Sequence, residues 1–224
     1  MPKPMKPPAS LASAVRSRRA YFDCRFGQLH VRTAFPATGG FDEQATLFCI
    51  HQSDASSRVF GRFLAAMADR RSVYAPDLPG CGESDPAPLR GATAAAAAIG
   101  DLARDLRLRQ IDVLGFLDGC DVALELAVSA PELLRRMVLV GATTLDRLAS
   151  IERPCLVLGV DRASAAIRTR AAAPPAHVEF ADAPPGGENL PDLGAQALAR
   201  RCALFLDRRA MAPPAPGAAA APRP

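Results

Sequence analysis

Short apolar runs of strand length alternate along this chain with longer segments of helical periodicity, and this alternation limits its fold more than any other feature. The apolar runs lie at 29–35, 45–51, 72–77, 111–116, 136–141, 155–160 and 177–182. Segments with helical spacing lie at 56–70, 91–108, 119–130 and 193–207. Strands that alternate with helices predict an α/β fold with a mostly parallel central sheet flanked by helices. Ligands of such sheets bind at the carboxyl ends of the strands, so the residues that follow each strand are the candidates for a site.

Both ends of the chain differ in composition from the part between them. Residues 1–18 are basic and rich in Pro, Ala and Ser, which is typical of a flexible arm. Residues 208–224 form a Pro/Ala-rich tail that cannot build a core. We therefore expect one folded domain over 19–207, which is long enough to bury a sizeable core.

Charge and cysteine content argue against several classes of function. The formal net charge is only +4, and no basic stripe with interleaved aromatic residues is present, so we expect no nucleic-acid partner. No apolar run approaches the roughly 18 residues of a membrane span, and the amino-terminal segment lacks the apolar stretch of a secretory signal. The six cysteines are scattered without a C-x-x-C pair, which favours free thiols in a reducing cytoplasm. We expect no metal and no cofactor.

The segment "VLGFLDGCDVALELA" at 113–127 has the frame of a nucleophile elbow. A hydrophobic strand runs into a Gly-x-x-x-Gly turn and a helix follows at once, as in the G-x-S-x-G motif. Leu117 stands where the serine would be, and leucine has no atom that can attack a substrate. Gly115 and Gly119 are explained by the close packing of strand and helix, so the frame is retained for the fold rather than for chemistry.

In the order and spacing of its motifs the chain resembles the α/β-hydrolase superfamily over residues 20–207. The stretch "LFCIHQSDASSRVFGRFLAAMADRRSVYAPDLPGCGESD" is similar to the family's oxyanion segment, first helix and D-x-P-G-x-G-x-S loop, and the elbow follows in register. The resemblance implies an α/β-hydrolase fold. Only the twelve residues "ATTLDRLASIER" separate Gly141 from Pro154, where many members insert a cap, so we expect a minimal or absent cap domain.

The resemblance also implies where a nucleophile, a histidine and an acid would stand. Leu117 occupies the nucleophile position and Glu188 occupies the histidine position, so an intact Ser-His-Asp triad is not expected. Asp161 follows the sixth of the seven apolar runs, where the acid is expected. It is either a relic of that acid or a solvated loop residue.

Three residues remain candidates for catalysis, namely Asp161, Asp118 and His51. Asp118 comes one residue after the centre of the elbow, and capping of the following helix is its alternative role. The resemblance gives His51 a structural role in the oxyanion loop, with recruitment as a base as the alternative. Cys120, in the first turn of the same helix, is a weaker candidate nucleophile.

The family's His-Gly oxyanion start is replaced here by His51-Gln52-Ser53. Gln52, Ser53 and Leu117 are the candidate ligand contacts. Together these departures favour a catalytically degenerate α/β-hydrolase-fold protein of the cytoplasm that binds a small ligand or a protein partner. The alternative is a non-standard hydrolase or a cofactor-free lyase acting on a small ester or carbonyl substrate. Oligomeric state stays open, with a homodimer as one option.

Overall fold

The computed structural model describes residues 16–36, 44–144, 146–160, 175–186 and 194–208. Within these ranges eight strands form one sheet: β1 Arg16–Cys24, β2 Gly27–Phe35, β3 Leu47–Ile50, β4 Val73–Pro76, β5 Ile111–Phe116, β6 Leu134–Val140, β7 Cys155–Gly159 and β8 Val178–Asp182. Four helices accompany them: α1 Gly61–Met67, α2 Ala92–Asp105, α3 Gly119–Ser129 and α4 Ala195–Leu206. Short 3-10 turns at Ser57–Phe60 and Leu148–Ser150 precede α1 and β7.

The sheet is mostly parallel, as the alternating pattern predicts. Its strand order is β1-β2-β4-β3-β5-β6-β7-β8. β2 runs antiparallel to both β1 and β4, and the remaining pairs are parallel. Every residue of β3 and β5 is buried, as expected for strands covered on both faces.

Helices cover the two faces of the sheet and divide the core into two layers. On one face α2 and α3 pack on the sheet through buried residues such as Ile99, Leu102 and Leu126. On the other face α1 and α4 pack through residues such as Phe63 and Leu198. The helical spacing of apolar residues in each segment accounts for this arrangement, because it concentrates them on one side of each helix.

The first strand was not predicted, because its sequence lacks an apolar run. β1 pairs with β2 over its whole length, from Arg16 opposite Phe35 to Cys24 opposite Gly27. It lies at the edge of the sheet and is largely exposed, so polar side chains are tolerated along it. The described fold therefore begins inside the predicted arm 1–18.

The connection from β6 to β7 carries no cap domain. Residues 142–153, all described except Leu145, contain one 3-10 turn and lead directly to the next strand. The expected minimal cap is confirmed. None of the described helices has the length and apolarity to span a membrane.

The amino ends of the parallel strands hold a buried network of charges. Asp112, at the start of β5, is fully buried and accepts a hydrogen bond from Arg71 at 3.1 Å and another from Arg135. Arg71 also pairs with Asp207, and Arg135 donates to the carbonyl of Leu206 at 2.8 Å. The network fixes the end of α4 to β5 and β6. It lies at the amino ends of these strands, and the elbow lies at the carboxyl end of β5.

Candidate functional site

The turn between β5 and α3 has the backbone of a nucleophile elbow. Leu117 has a φ of +53°, in the left-handed region that residues other than glycine rarely enter. Its N–H donates to the Val140 carbonyl at 2.8 Å, and its own carbonyl accepts from the Cys120 N–H at 3.0 Å. A strained residue on a sharp strand-to-helix turn is the geometry that exposes a nucleophile above the sheet. Here that geometry is retained with leucine at its centre.

Two glycines allow α3 to approach the strands closely. A Cβ at Gly115 would lie 2.7 Å from the Cα of Cys120. A Cβ at Gly119 would lie 2.6 Å from the carbonyl oxygens of both Ile50 and His51. Because these neighbours are backbone atoms, they cannot move aside as a flexible side chain would. The packing role predicted for both glycines is confirmed.

The side chain of Leu117 leans toward the ends of β6 and β7. A Cβ at Gly141 would lie 2.6 Å from Cδ2 of Leu117 and 2.9 Å from Cγ2 of Val160. Leu117 is half-buried and packs against the apolar cluster under α1 and α4. The side of the elbow where a nucleophile would work is therefore covered by hydrocarbon.

Asp118 points the other way, toward the loop that follows β3. Its Oδ1 accepts a hydrogen bond from the Ser53 N–H at 2.8 Å. The predicted capping of α3 by Asp118 is wrong, since its side chain makes no capping hydrogen bond. The backbone of Asp118 is helical, with φ −70° and ψ −11°, whereas a capping residue is usually extended, and its Oδ1 is bonded to Ser53 instead.

The contact between Ser53 and Asp118 involves the region that supplies an oxyanion hole in this type of elbow. The donors of that hole are the N–H of the residue after the nucleophile and an N–H from the loop after β3. In the present chain an N–H of that loop donates to a carboxylate of the protein itself. A developing negative charge on a substrate would have to compete with this fixed negative charge.

His51 is fully buried, and both of its ring nitrogens are hydrogen-bonded. Nε2 accepts from the Leu78 N–H at 2.9 Å, so Nδ1 carries the proton and donates to the Gln52 carbonyl at 2.7 Å. Burial lowers the pKa of His51 and favours this neutral form. The ring thus joins the loops after β3 and β4. To act as a base it would first have to break its bond with Leu78.

The other two histidines of the chain lie away from the elbow. His30 is buried on β2 and its Nδ1 lies 2.9 Å from Oδ2 of Asp77. His177 directly precedes β8, at the amino end of a parallel strand. All three histidines are described, and none has a hydrogen bond to Asp118 or Cys120.

Asp77 organises the loop after β4. It accepts hydrogen bonds from the backbone N–H groups of Ser57 at 2.6 Å and Glu83 at 2.9 Å, and Ser84 Oγ donates to its carbonyl at 2.7 Å. Burial raises the pKa of Asp77, but the hydrogen bonds from Ser57 and Glu83 outweigh it, and the pKa lies below its ordinary value. Ser84 also accepts from the His30 N–H at 2.9 Å, so it has a structural role in this loop.

Cys120 does not have the environment of a reactive cysteine. Its thiol is buried and lies 3.3 Å from the Gly115 carbonyl and 3.6 Å from that of Val140. Burial raises the pKa of the thiol well above its ordinary value, so it stays protonated. Cys120 is therefore a small packed residue in this structure.

Asp161 and Glu188, which stand at the positions of the family's acid and histidine, lie outside the described residues. Gln52 is described and half-buried, and its Oε1 is buried without a hydrogen-bond partner. Its position next to Ser53 keeps it a candidate ligand contact.

A pocket of about 310 Å³ opens beside the elbow on the side of α2 and α3. Its apolar floor is made of buried or half-buried residues, namely Leu78, Pro79, Ala92, Ala95 and Val122. Its rim carries four exposed charged residues, namely Arg90, Asp54, Asp118 and Asp121. Ser53 and Cys81 complete the polar part of the lining. Among the described residues, no cluster of three or more His, Cys, Asp or Glu side chains could hold a metal ion.

Sequence reasoning did not identify Arg90 or Asp121 as pocket residues. Arg90 lies just before α2 and Asp121 lies in the first turn of α3. Nothing in their local sequence predicts that they line a pocket. The Ser53–Asp118 contact joins residues 65 positions apart, so only the tertiary fold brings them together.

Comparison with known proteins agrees with this architecture. A family model described as the alpha/beta hydrolase fold matches residues 45–180, more than half of the chain. The chain therefore belongs to the α/β-hydrolase fold family.

Solved structures resemble it in fold at low sequence identity. Carboxylesterase CesB of Bacillus subtilis superposes with a TM-score of 0.69 at 16% identity, covering 86% of this chain and 92% of its own. Naproxen esterase of Bacillus subtilis superposes with a TM-score of 0.68 at 18% identity, covering 85% and 92%. At these identities the likeness concerns the fold.

Curated relatives are more similar in sequence but over a shorter stretch. Uncharacterised proteins of Mycobacterium tuberculosis and Mycobacterium bovis are 35% identical to the chain over 114 residues. This match covers 47% of the present chain and 33% of the length of those relatives.

Proposed function

We propose that this α/β-hydrolase-fold protein is catalytically degenerate and binds a small polar ligand in the pocket beside its elbow. The observation that carries the proposal is the pair at the centre of the elbow. Leu117 places hydrocarbon at the nucleophile position, and Asp118 accepts the hydrogen bond of Ser53 in the loop of oxyanion donors. Acyl transfer needs a nucleophile at position 117 and free N–H donors in the loop after β3.

The state of the histidines supports the same conclusion. A serine-type nucleophile needs a base within hydrogen-bond reach. His51 uses both ring nitrogens for the backbone, His30 is bound to Asp77, and His177 lies at the opposite end of the sheet from the elbow. The open connection between β6 and β7 adds to this, since an uncapped site stays wet and weakens electrostatic catalysis.

A site that lacks catalytic groups can still bind a ligand. The pocket combines an apolar floor with charged and polar groups at its rim, which is the general composition of small-molecule sites. It also adjoins Ser53, a candidate ligand contact from the sequence. Arg90 favours a negatively charged group on the ligand, and the carboxylates favour a positively charged one.

The test is a binding screen that uses a blocked pocket as its reference. A library of small polar metabolites is screened by thermal shift against the wild type and against Ala92→Trp, which places an indole in the pocket from the start of α2. Ala94→Trp, half-exposed on the same helix but outside the pocket, is the matched control. We expect at least one compound that stabilises the wild type and the control but not Ala92→Trp. Compounds that stabilise all three proteins alike, or none of them, would contradict binding in this pocket.

A further inference from the structure

Two arginines face each other on the neighbouring strands β1 and β2, away from the elbow. Arg19 is the register partner of Arg32 in the antiparallel pair. Directly opposed residues in such a pair have Cβ atoms about 4.5–5.5 Å apart on the same face of the sheet. Like charges in this position destabilise the pair unless something of opposite charge lies between them.

Arg32 has an unsatisfied donor. Its side chain is half-buried, and its Nε is buried without a hydrogen-bond partner. Buried donors are rarely left unpaired, and an ion is one of the usual reasons when a structure leaves one so. A partly desolvated guanidinium also attracts an anion more strongly than one in bulk water does.

The surrounding charges leave this patch positive. Glu83 accepts a hydrogen bond from Tyr21 at 2.8 Å and lies 3.5 Å from the guanidinium of Arg58. The hydrogen bond from Tyr21 is the main reason that the pKa of Glu83 is lowered, and His30, Arg19 and Arg58 lower it further, so Glu83 lies in the field of both arginines. Asp77 also acts on Tyr21, but its carboxylate is bonded to His30 and to the backbone N–H groups of Ser57 and Glu83. The guanidinium groups of Arg19, Arg32 and Arg58 outnumber the two carboxylates, so the patch has a net positive charge. Among the described residues Arg32 has no acidic partner.

We propose that Arg19 and Arg32 form a binding site for a small oxyanion, and that the phosphate group of a phosphorylated metabolite is its ligand. A phosphate monoester carries a charge of about −1.5 to −2 at pH 7, opposite in sign to the charge of the patch. The planar donor fork of arginine suits the oxygens of a phosphate, and two forks from adjacent strands can hold one group between them. This site is separate from the pocket beside the elbow, so either can exist without the other.

The experiment uses inorganic phosphate as the probe on the full chain. Affinity is measured by calorimetry and by the shift in Tm, with ionic strength held constant by sodium chloride so that general screening does not contribute. The proteins are the wild type, Arg19→Gln, Arg32→Gln, the double variant and Arg109→Gln. Arg109 is exposed in the turn between α2 and β5 and serves as the matched control.

Saturable binding is expected in the wild type and in Arg109→Gln. Each single variant at the site should bind about tenfold more weakly, as expected for the loss of one charged hydrogen-bond donor. The fold-loss of affinity in the double variant should be smaller than the product of the fold-losses in the two single variants, because both arginines hold the same anion. Arg32→Lys keeps the charge but not the fork and should recover only part of the affinity.

Two results would overturn the proposal. One is a wild type that shows no saturable response to phosphate. The other is an equal response in the wild type and in a folded Arg32→Gln or Arg32→Lys variant, which would make the effect a general one of the anion on the protein.

Discussion

Leu117 and Asp118 are adjacent in sequence, but they alter the elbow in different ways. Leu117 keeps the strained backbone at φ +53° and turns its side chain onto Gly141 and Val160. Asp118 leaves α3 uncapped and turns its carboxylate to the Ser53 N–H. The first change removes the attacking group, and the second places a negative charge where a substrate oxygen would need a donor.

The Asp118 carboxylate should protect the Ser53 amide from exchange with solvent. In Asp118→Ala this amide loses its acceptor, and we expect its hydrogen exchange to accelerate by about tenfold, the equivalent of one hydrogen bond. Amide exchange followed by NMR measures this directly. Asp121→Ala removes a carboxylate that also lines the pocket and should leave the Ser53 rate unchanged. Unchanged exchange in Asp118→Ala would mean that the contact does not persist in solution.

The loops after β3 and β4 are held by buried polar side chains rather than by regular structure. His51 joins the two loops, and Asp77 binds His30 on β2 as well as backbone donors of both loops. These contacts fix the shape of the site region without any contribution from Leu117.

Asp77 should make the stability of the fold depend on pH in the acidic range. Its pKa in the folded protein lies below the ordinary value of 3.8. A carboxyl with a lowered folded pKa stabilises the fold above its unfolded pKa, and this stabilisation is lost as the pH falls through the folded pKa. We expect Asp77→Asn to lower the free energy of unfolding at pH 7 by about 1–2 kcal/mol and to flatten the loss of stability below pH 4. Urea denaturation from pH 7 to pH 2.5 tests this. An acid profile parallel to that of the wild type would contradict it.

The approach of α3 to the strands should depend on the absence of a side chain at Gly119. A methyl group there would meet two backbone carbonyl oxygens at 2.6 Å, so we expect Gly119→Ala to destabilise the fold by about 2 kcal/mol or more. Gly100 lies within α2 with nothing within 4 Å of an added Cβ. Gly100→Ala should therefore stabilise the protein, by up to about 1 kcal/mol, because alanine is the better helix former. Chemical denaturation of both variants provides the comparison, and equal effects would show that α3 can shift away.

The two ends of the sheet have different roles in the whole molecule. The amino ends of β5 and β6 hold the buried network of Asp112, Arg71 and Arg135, and the carboxyl ends hold the elbow and the pocket. Loss of one partner from a buried ion pair leaves an uncompensated charge. Asp112→Ala should thus cost about 3 kcal/mol of unfolding free energy. Because the network is remote from the pocket, a ligand found by the screen should bind the folded variant as it binds the wild type. A change in that affinity would show that the two ends are coupled.

Much of the fold could be predicted because its strands are apolar runs that lie within one or two residues of the observed bounds. β5 at Ile111–Phe116 coincides with its predicted run, whereas β1 was missed because an exposed edge strand needs few apolar residues. The site was less predictable. The elbow and Leu117 are local in sequence, but the partners of Asp118 and His51 come from loops that only the completed fold brings together.

Turnover of short activated esters shows whether this elbow performs acyl transfer. Hydrolysis of p-nitrophenyl acetate and butyrate is measured for the wild type, for Leu117→Ser and for Leu117→Arg, which fills the region above the elbow. We predict rates equal to that of buffer for all three, because no histidine is free to activate a serine at position 117. Turnover by the wild type that Leu117→Arg abolishes would mean that the elbow is catalytically active, and strong turnover by Leu117→Ser would mean that a base is available to position 117.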